Sequence, residues 1–374
     1  MRQPGPGQVT ILARLIAGRL RANLMLKGQI MIGIMKRAAT TFAVAMALAL
    51  SAQAAFAQSA TLKAVQDRGV LNCGSNGQLA GFGMPDPQGN WTGFDVDFCR
   101  ALAAAIFNDP TKVKFVPLIA ANRFTALQSG EVDVLSRNTT WTMERDTTLG
   151  IDFAAVNFFD GQGFMVRKAL KVNSALELND ASVCVQQGTT TELNLADYFR
   201  QNHMSLKTVT FATIDEAIKA YDSSRCDSFT TDSSGLYASR LQLADPNANI
   251  VLPEIISKEP LSPAVRQGDD TWEDIVRWTH YAMVDAEEMG VNQHNVDDML
   301  KSDAPDVRRL LGVEGQFGVS LGLTKDWAYR IIKAVGNYGE SFERNVGQGS
   351  PLKIARGLNA LWTKGGLQYG LPIR

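Results

Sequence analysis

The stretch SRNTTWTMERD, Ser136 to Asp146, gathers the hydroxyls of Thr139, Thr140 and Thr142 around Trp141 and closes on Arg145, directly after the turn-and-strand run GEVDVL. A guanidinium offers paired donors that match the two oxygens of a carboxylate. The same residue types are common in solvated turns, so the cluster alone reads either as an anion pocket or as an exposed loop. Two later stretches carry complementary chemistry. In QGTTTELNL, Thr189 followed by Glu192 has capping-box spacing, which predicts a helix start immediately after a strand. Free N–H groups and the dipole at such a start suit an anion; a plain helix start is the simpler alternative. In TTDSSG, Asp232 closes the strand-like run CDSFTTD. A carboxylate at the carboxyl end of an α/β strand suits an ammonium group, or else it opens a turn.

Residues of this kind work together only if a scaffold brings them together, and the hydropathy pattern supplies one. GVLNCGS, KVKFVPL and EVDVLSR read as strands, and they alternate with the helical runs DVDFCRALAAAIF and NRFTALQSG. The rhythm returns in SVCVQQ, KTVTFA and CDSFTTD, interleaved with TTELNLADYFRQN and IDEAIKAYDSS. Two such blocks predict two α/β lobes, each a mainly parallel sheet flanked by helices. FFDGQGFMVRK between the blocks and KEPLSPAVRQGD after the second read as extended crossing segments. From about Trp272 the chain is mostly helical, with WEDIVRWTHYAMVDAEEMG the clearest amphipathic run.

The chain has 374 residues, 45% hydrophobic and 20% charged, with a formal charge of -1. That near-neutrality is uneven. The first 57 residues hold Arg2, Arg14, Arg19, Arg21, Lys27, Lys36 and Arg37 and no acid, which leaves 30 basic against 38 acidic residues, a charge of -8, in the remainder. An acidic body argues against a nucleic-acid partner. Lys36-Arg37, the apolar run FAVAMALAL and the small-residue site ending at Ala57 predict a secretory signal peptide cleaved after Ala57. Met31 and Met35 lie just before it, so residues 1–34 read as a mis-assigned start. Export makes the even count of four cysteines a disulfide framework, with three connectivities open. Cys73 with Cys99 and Cys184 with Cys226 is the local pairing.

Other signals dissolve on inspection. Asp95 and Asp97 fall at a helix start, where acids complement the dipole, and do not imply a metal. GVSLG, Gly318 to Gly322, matches the serine-hydrolase elbow, but His203, His280 and His294 all precede Ser320, the wrong chain order for that triad. Nucleotide-binding glycine motifs and H-E-x-x-H are absent from the sequence.

The stretches GFDVDFCRALAAAIF, NRFTALQSGEVDVLSRNTTWTMERD, QGTTTE and RCDSFTTD resemble the periplasmic solute-binding proteins of polar amino-acid ABC transporters. The closing segments VGNYGESFERNVG, RGLNALW and GGLQYGLP resemble the general, broad-specificity L-amino-acid-binding proteins, which carry a longer helical tail. The resemblance implies the two-lobed type II fold with two hinge strands. Lobe 1 would be 58–157 with 262–374, and lobe 2 would be 158–261. It further implies that Arg145 grips the ligand α-carboxylate, that the Thr140 hydroxyl binds the same group, and that Asn138 accepts from the α-ammonium. Across the cleft Thr189 and Thr190 would donate to the carboxylate and Asp232 would hold the ammonium. Leu79 stands near the place where relatives stack an aromatic ring, with Phe82 a few residues on, and Arg123 stands where glutamate-binding relatives touch an acidic side chain. A monomer delivering amino acids to a membrane permease, without cofactor or metal, is the implied function. A dehydratase of the cyclohexadienyl or arogenate type on the same fold is the competing one.

Overall fold

The computed structural model describes residues 59–374. The basic leader, the cleavage site and the alternative start lie outside the described residues. Among the described residues no helix is long and apolar enough to cross a membrane.

Two five-stranded sheets carry the chain. In the first, strand Leu71–Ser75 runs parallel to Val113–Pro117 on one side and to Val134–Leu135 on the other, followed by Ala264–Arg266 and Ile151–Phe153. In the second, Ser182–Gln186 is parallel to Lys207–Phe211 and Ser228–Asp232, followed by Gln162–Arg167 and Asn249–Val251. Each sheet is therefore a parallel trio extended by antiparallel strands, less uniform than the hydropathy rhythm predicts. The cause is the crossing. Phe158–Asp160 and Glu259–Leu261 pair antiparallel with one another. Each chain leaving this pair adds a strand of opposite direction to the sheet it enters: Gln162–Arg167 against Ser228–Asp232, and Ala264–Arg266 against Val134–Leu135. The return of the chain to the first sheet, which periodicity cannot supply, is made by that second strand.

Local chemistry fixes the elements that bear the site. Gly93 has φ +136°, and a Cβ there would lie 2.1 Å from the Phe82 carbonyl oxygen, so only glycine lets the chain turn into helix Phe94–Phe107. That helix buries Phe98 and Leu102 together with Ala101, Ala103, Ala104 and Ala105. Its small side chains let helix Trp327–Val335 approach closely with Trp327, Ala328, Ile331, Ile332 and Val335, an i, i+4 stripe. Each fully buried Leu, Ile or Phe contributes roughly 1.5–3 kcal/mol by its removal from water. Enlarging Ala101 or Ala104 would force the two helices apart.

The C-terminal tail is packed into the crossing, not appended to it. Phe158 stacks on Phe342 at 5.8 Å between centroids, edge-on to Phe82 and Phe94. The Asn359 side chain brackets Phe159 by accepting from its N–H (2.7 Å) and donating to its carbonyl (3.0 Å). Disulfides join Cys73 to Cys99 and Cys184 to Cys226, the local pairing. The first ties a sheet strand to the helix that covers it, and the second ties strand Ser182–Gln186 to the turn that precedes strand Ser228–Asp232.

Candidate functional site

The carboxyl ends of the strands in both sheets converge on one small, polar-lined cavity. Leu79, Arg123, Arg137, Asn138 and Thr140 line it from segments that follow first-sheet strands, with Asn76 beside them. Gln186, Thr189, Thr190, Thr191, Thr231 and Asp232 line it from the second sheet.

The loop after Val134–Leu135 is held rigidly. Ser136, Arg137, Thr139 and Thr140 are buried, and Asn138 takes a positive φ of 36°, which asparagine tolerates better than most residues. Asp95, at the start of helix Phe94–Phe107, accepts from the Asn138 N–H at 2.9 Å and from the Ser136 hydroxyl at 3.2 Å. The acid expected only to complement a helix dipole thus also ties the helix to the site loop. Burial lifts its carboxyl to about 7 against those two hydrogen bonds and the Arg137 charge.

Three arginines stand on this side. Arg145 donates from Nη1 to the Thr140 carbonyl at 2.9 Å, and its guanidinium lies 5.3 Å from the Phe124 ring centre. It does not itself line the cavity. Arg137 donates from Nε to the Leu118 carbonyl at 2.9 Å, and burial lowers its pKa to about 10. Arg123 is 3% exposed, lies 4.9 Å from the Phe124 ring centre, and its buried Nε has no partner among the described residues. Burial lowers its pKa, and the neighbouring Arg137 and Arg145 lower it further. A buried donor without an acceptor costs about 1–3 kcal/mol, more when charged, so this arrangement persists most readily where a ligand supplies the acceptor.

The opposite side has the complementary character. Asp232 ends strand Ser228–Asp232 and precedes helix Ser233–Arg240, yet its side chain makes no cap hydrogen bond. Burial raises its pKa well above the usual carboxylate range, and the negative charges of Asp160 and Glu259 add to the effect against Arg123 and Arg145. Asp160 is itself pushed up to about 6 by burial, while its contacts with Ser234 and the Gly161 N–H at 2.8 Å oppose the rise. Thr189 caps helix Thr190–Gln201 by accepting from the Glu192 N–H at 3.3 Å, and it donates its own hydrogen to the Gln186 carbonyl at 2.7 Å. The expected capping box is only half formed, because Glu192 accepts from the Gly188 N–H instead of that of Thr189. Gly188 has φ +71°, and the turn it makes carries its N–H toward the glutamate. Among the described residues no protein acceptor takes the Thr190 and Thr191 N–H groups, which leaves two donors at a positive helix end.

Residues 71–293 match the model for bacterial extracellular solute-binding proteins, family 3. The chain belongs to this family. The general L-amino acid-binding periplasmic protein AapJ of Rhizobium johnstonii is 62% identical over 88% of this chain and 97% of its own length. The glutamate/glutamine/aspartate/asparagine-binding protein BztA of Rhodobacter capsulatus is 55% identical over 87% of this chain and 97% of its own. A periplasmic binding protein of Brucella ovis solved with glutathione bound superposes with a TM-score of 0.83 at 63% identity, covering 84% of this chain and 99% of that one.

In this family 3 solute-binding protein, the cavity unites most of the residues singled out from the sequence: Leu79, Arg123, Asn138, Thr140, Thr189, Thr190 and Asp232. Arg145 stands one residue shell away. Phe82 packs edge-on to Phe94 and Phe158 inside the core, so Leu79 forms the wall where an aromatic clamp was conceivable. Trp141 stacks on Phe153 at 5.5 Å and serves packing. Ser320 of the GVSLG match is exposed on a one-turn helix, remote in character from a strand elbow. Sequence reasoning missed Arg137, Asn76 and above all Glu259. The last sits in KEPLSP, where an acid flanking a crossing strand carries no motif. Its Oε2 accepts from the hydroxyls of Thr140 (2.6 Å) and Thr190 (2.9 Å), and its Oε1 from Asn194 (2.7 Å) and Ser257 (2.6 Å).

Proposed function

We propose that the protein binds free L-amino acids between two lobes, 58–157 with 262–374 and 158–261, and delivers them to the permease of an ABC importer as an exported periplasmic monomer. The observation that carries this reading is the division of charge in one buried cavity. A carboxylate that makes no helix-cap hydrogen bond, Asp232, lines the cavity opposite arginines presented by the other side. A zwitterion can enter such a site because each of its charges meets an opposite one, which offsets the loss of water. Arg145 and the Thr190 and Thr191 N–H groups are assigned to the α-carboxylate, and Asp232 with Asn138 to the α-ammonium.

The second carboxylate or the amide of a glutamate-like side chain would supply the acceptor that Arg123 lacks. Relatives named for general L-amino acids and for glutamate, glutamine, aspartate and asparagine agree with this assignment. Glutathione, bound by the Brucella relative, ends in a γ-glutamyl unit with the same free α-amino acid head. A dehydratase would need a general acid or base free to act on the ligand side chain, whereas Asp232 and Arg145 are committed to the head group. Calorimetric titration of the protein with the common L-amino acids and glutathione tests the proposal. Saturable binding without turnover is the expected result; no heat from any of them would sink it.

A further inference from the structure

A second cavity opens between helix Asp270–Glu288 and the closing segment of the chain, and it shares no lining residue with the cleft. Three carboxylates line it, Asp285, Glu288 and Asp306, beside the rings of Trp362 and Tyr369. Two of the acids already have partners. Asp306 is paired with Arg309, with the Arg374 guanidinium 4.0 Å away, and Glu288 accepts from the Trp362 Nε1 at 3.2 Å. Asp285 differs: it is 5% exposed, and its buried Oδ2 has no hydrogen-bond partner among the described residues. The closing segment presses on this carboxylate, since a Cβ on Gly370 would lie 1.8 Å from its Oδ1. Burial first, and then the negative charges of Glu288 and Asp306, push its pKa up to about 7. A buried carboxylate beside like charges and without a donor is costly, and a cation entering from solvent would relieve both faults.

The rest of the lining decides which cation fits. Among the described residues no group of three or more acids, histidines or cysteines is placed to hold a metal ion. The walls beside Asp285 are instead largely apolar. Trp362 and Tyr369 pack on one another at 5.2 Å between ring centres while both stay exposed, and Met289 lies with them. A compact ammonium on an aliphatic stem suits this mixture, its charge meeting the carboxylate and its methylenes covering the rings and the thioether. We propose that this cavity is a second binding site, for a small alkylammonium ion that pairs with Asp285 and is drawn in past the exposed Glu288. The inference stands apart from the amino-acid reading, because no residue of the cleft takes part in it.

The test is a saturation-transfer NMR titration with n-butylammonium on wild type, Asp285→Asn and Glu288→Gln. It is run at physiological ionic strength, which screens loose attraction to an acidic surface, and with L-glutamate in excess to occupy the cleft. Wild type should bind the amine saturably. Asp285→Asn should weaken binding by about tenfold or more, and Glu288→Gln by less, because a buried charge pair outweighs an exposed one. L-Glutamate affinity should be the same in all three. No saturable signal from wild type, or equal binding by wild type and Asp285→Asn, overturns the proposal. Calcium that displaces the amine at equal concentration overturns the choice of an alkylammonium. If Asp285→Asn fails to show a cooperative melt, Glu288→Gln and Trp362→Leu decide instead, both at exposed positions, and unchanged binding in both overturns the proposal. Wild-type protein that binds no amino acid takes down the cleft reading alone; the same comparison without L-glutamate still decides this one.

Discussion

The two faces of the cleft solve opposite electrostatic problems by different means. The first-sheet face gathers three arginines, and two of them are tethered to backbone carbonyls, Arg137 to Leu118 and Arg145 to Thr140. The second-sheet face gathers one carboxylate without a cap bond, Asp232, and a helix end with unclaimed N–H groups. On the first face the charges are held in place by the protein. On the second, burial and the neighbouring charges of Asp160 and Glu259 raise Asp232 well above the usual carboxylate range. Under the proposed function, closure around a zwitterion would complete both sets of pairs at once.

The sharpest way to break this contrast is Asp232→Asn. Removing a buried carboxylate that the protein does not pair should weaken amino-acid binding by about 3 kcal/mol or more, while the melting temperature holds or rises. Calorimetry beside a thermal melt reads both, and a fall in stability would mean that the protein itself uses the charge. Arg145→Ala comes next: binding of every amino acid should weaken alike by about 2–4 kcal/mol, since the α-carboxylate is common to all. Loss for some ligands only would remove Arg145 from that role.

The raised pKa of Asp232 sets a third, smaller effect. An ammonium needs the ionised carboxylate, so binding expels a proton wherever Asp232 still titrates. Affinity should then rise with pH through that range, by at most about tenfold per unit, and level off above it. Titrations in buffers of different ionisation enthalpy measure the proton count, and proton uptake would contradict the assignment. The smallest expected effect is that of Arg123→Gln, a loss of about tenfold or less for glutamate with little change for alanine. Uniform weakening would make Arg123 a structural residue.

Much of this molecule is legible in its sequence where the signal is local. The strand–helix rhythm, the cap at Thr189, the acid ending Ser228–Asp232 and the arginine closing SRNTTWTMERD all depend on neighbours within a few positions. The half-formed capping box shows the limit even there, because the Gly188 turn decides which N–H Glu192 meets. Glu259 shows the larger limit. Its partners Thr140, Thr190 and Asn194 lie 119, 69 and 65 residues away, and no spacing in the chain announces them. Arg137 was hidden for a different reason: in the same SRNTTWTMERD stretch as Arg145 it reads as one more solvated cation, and only its burial reveals it.

By itself, then, the sequence determined the elements, their alternation, the membership in a binding-protein family and the charged groups able to meet a zwitterion. These are set by side-chain chemistry and by periodicities of a few residues. Tertiary structure decided the antiparallel return strands, the packing of the tail against the crossing, the burial of Arg123 with its Nε unpartnered among the described residues, and the gathering of four donors on Glu259. Those properties belong to pairs of groups far apart in the chain, and they come into being only when burial removes the water that would otherwise satisfy each group alone.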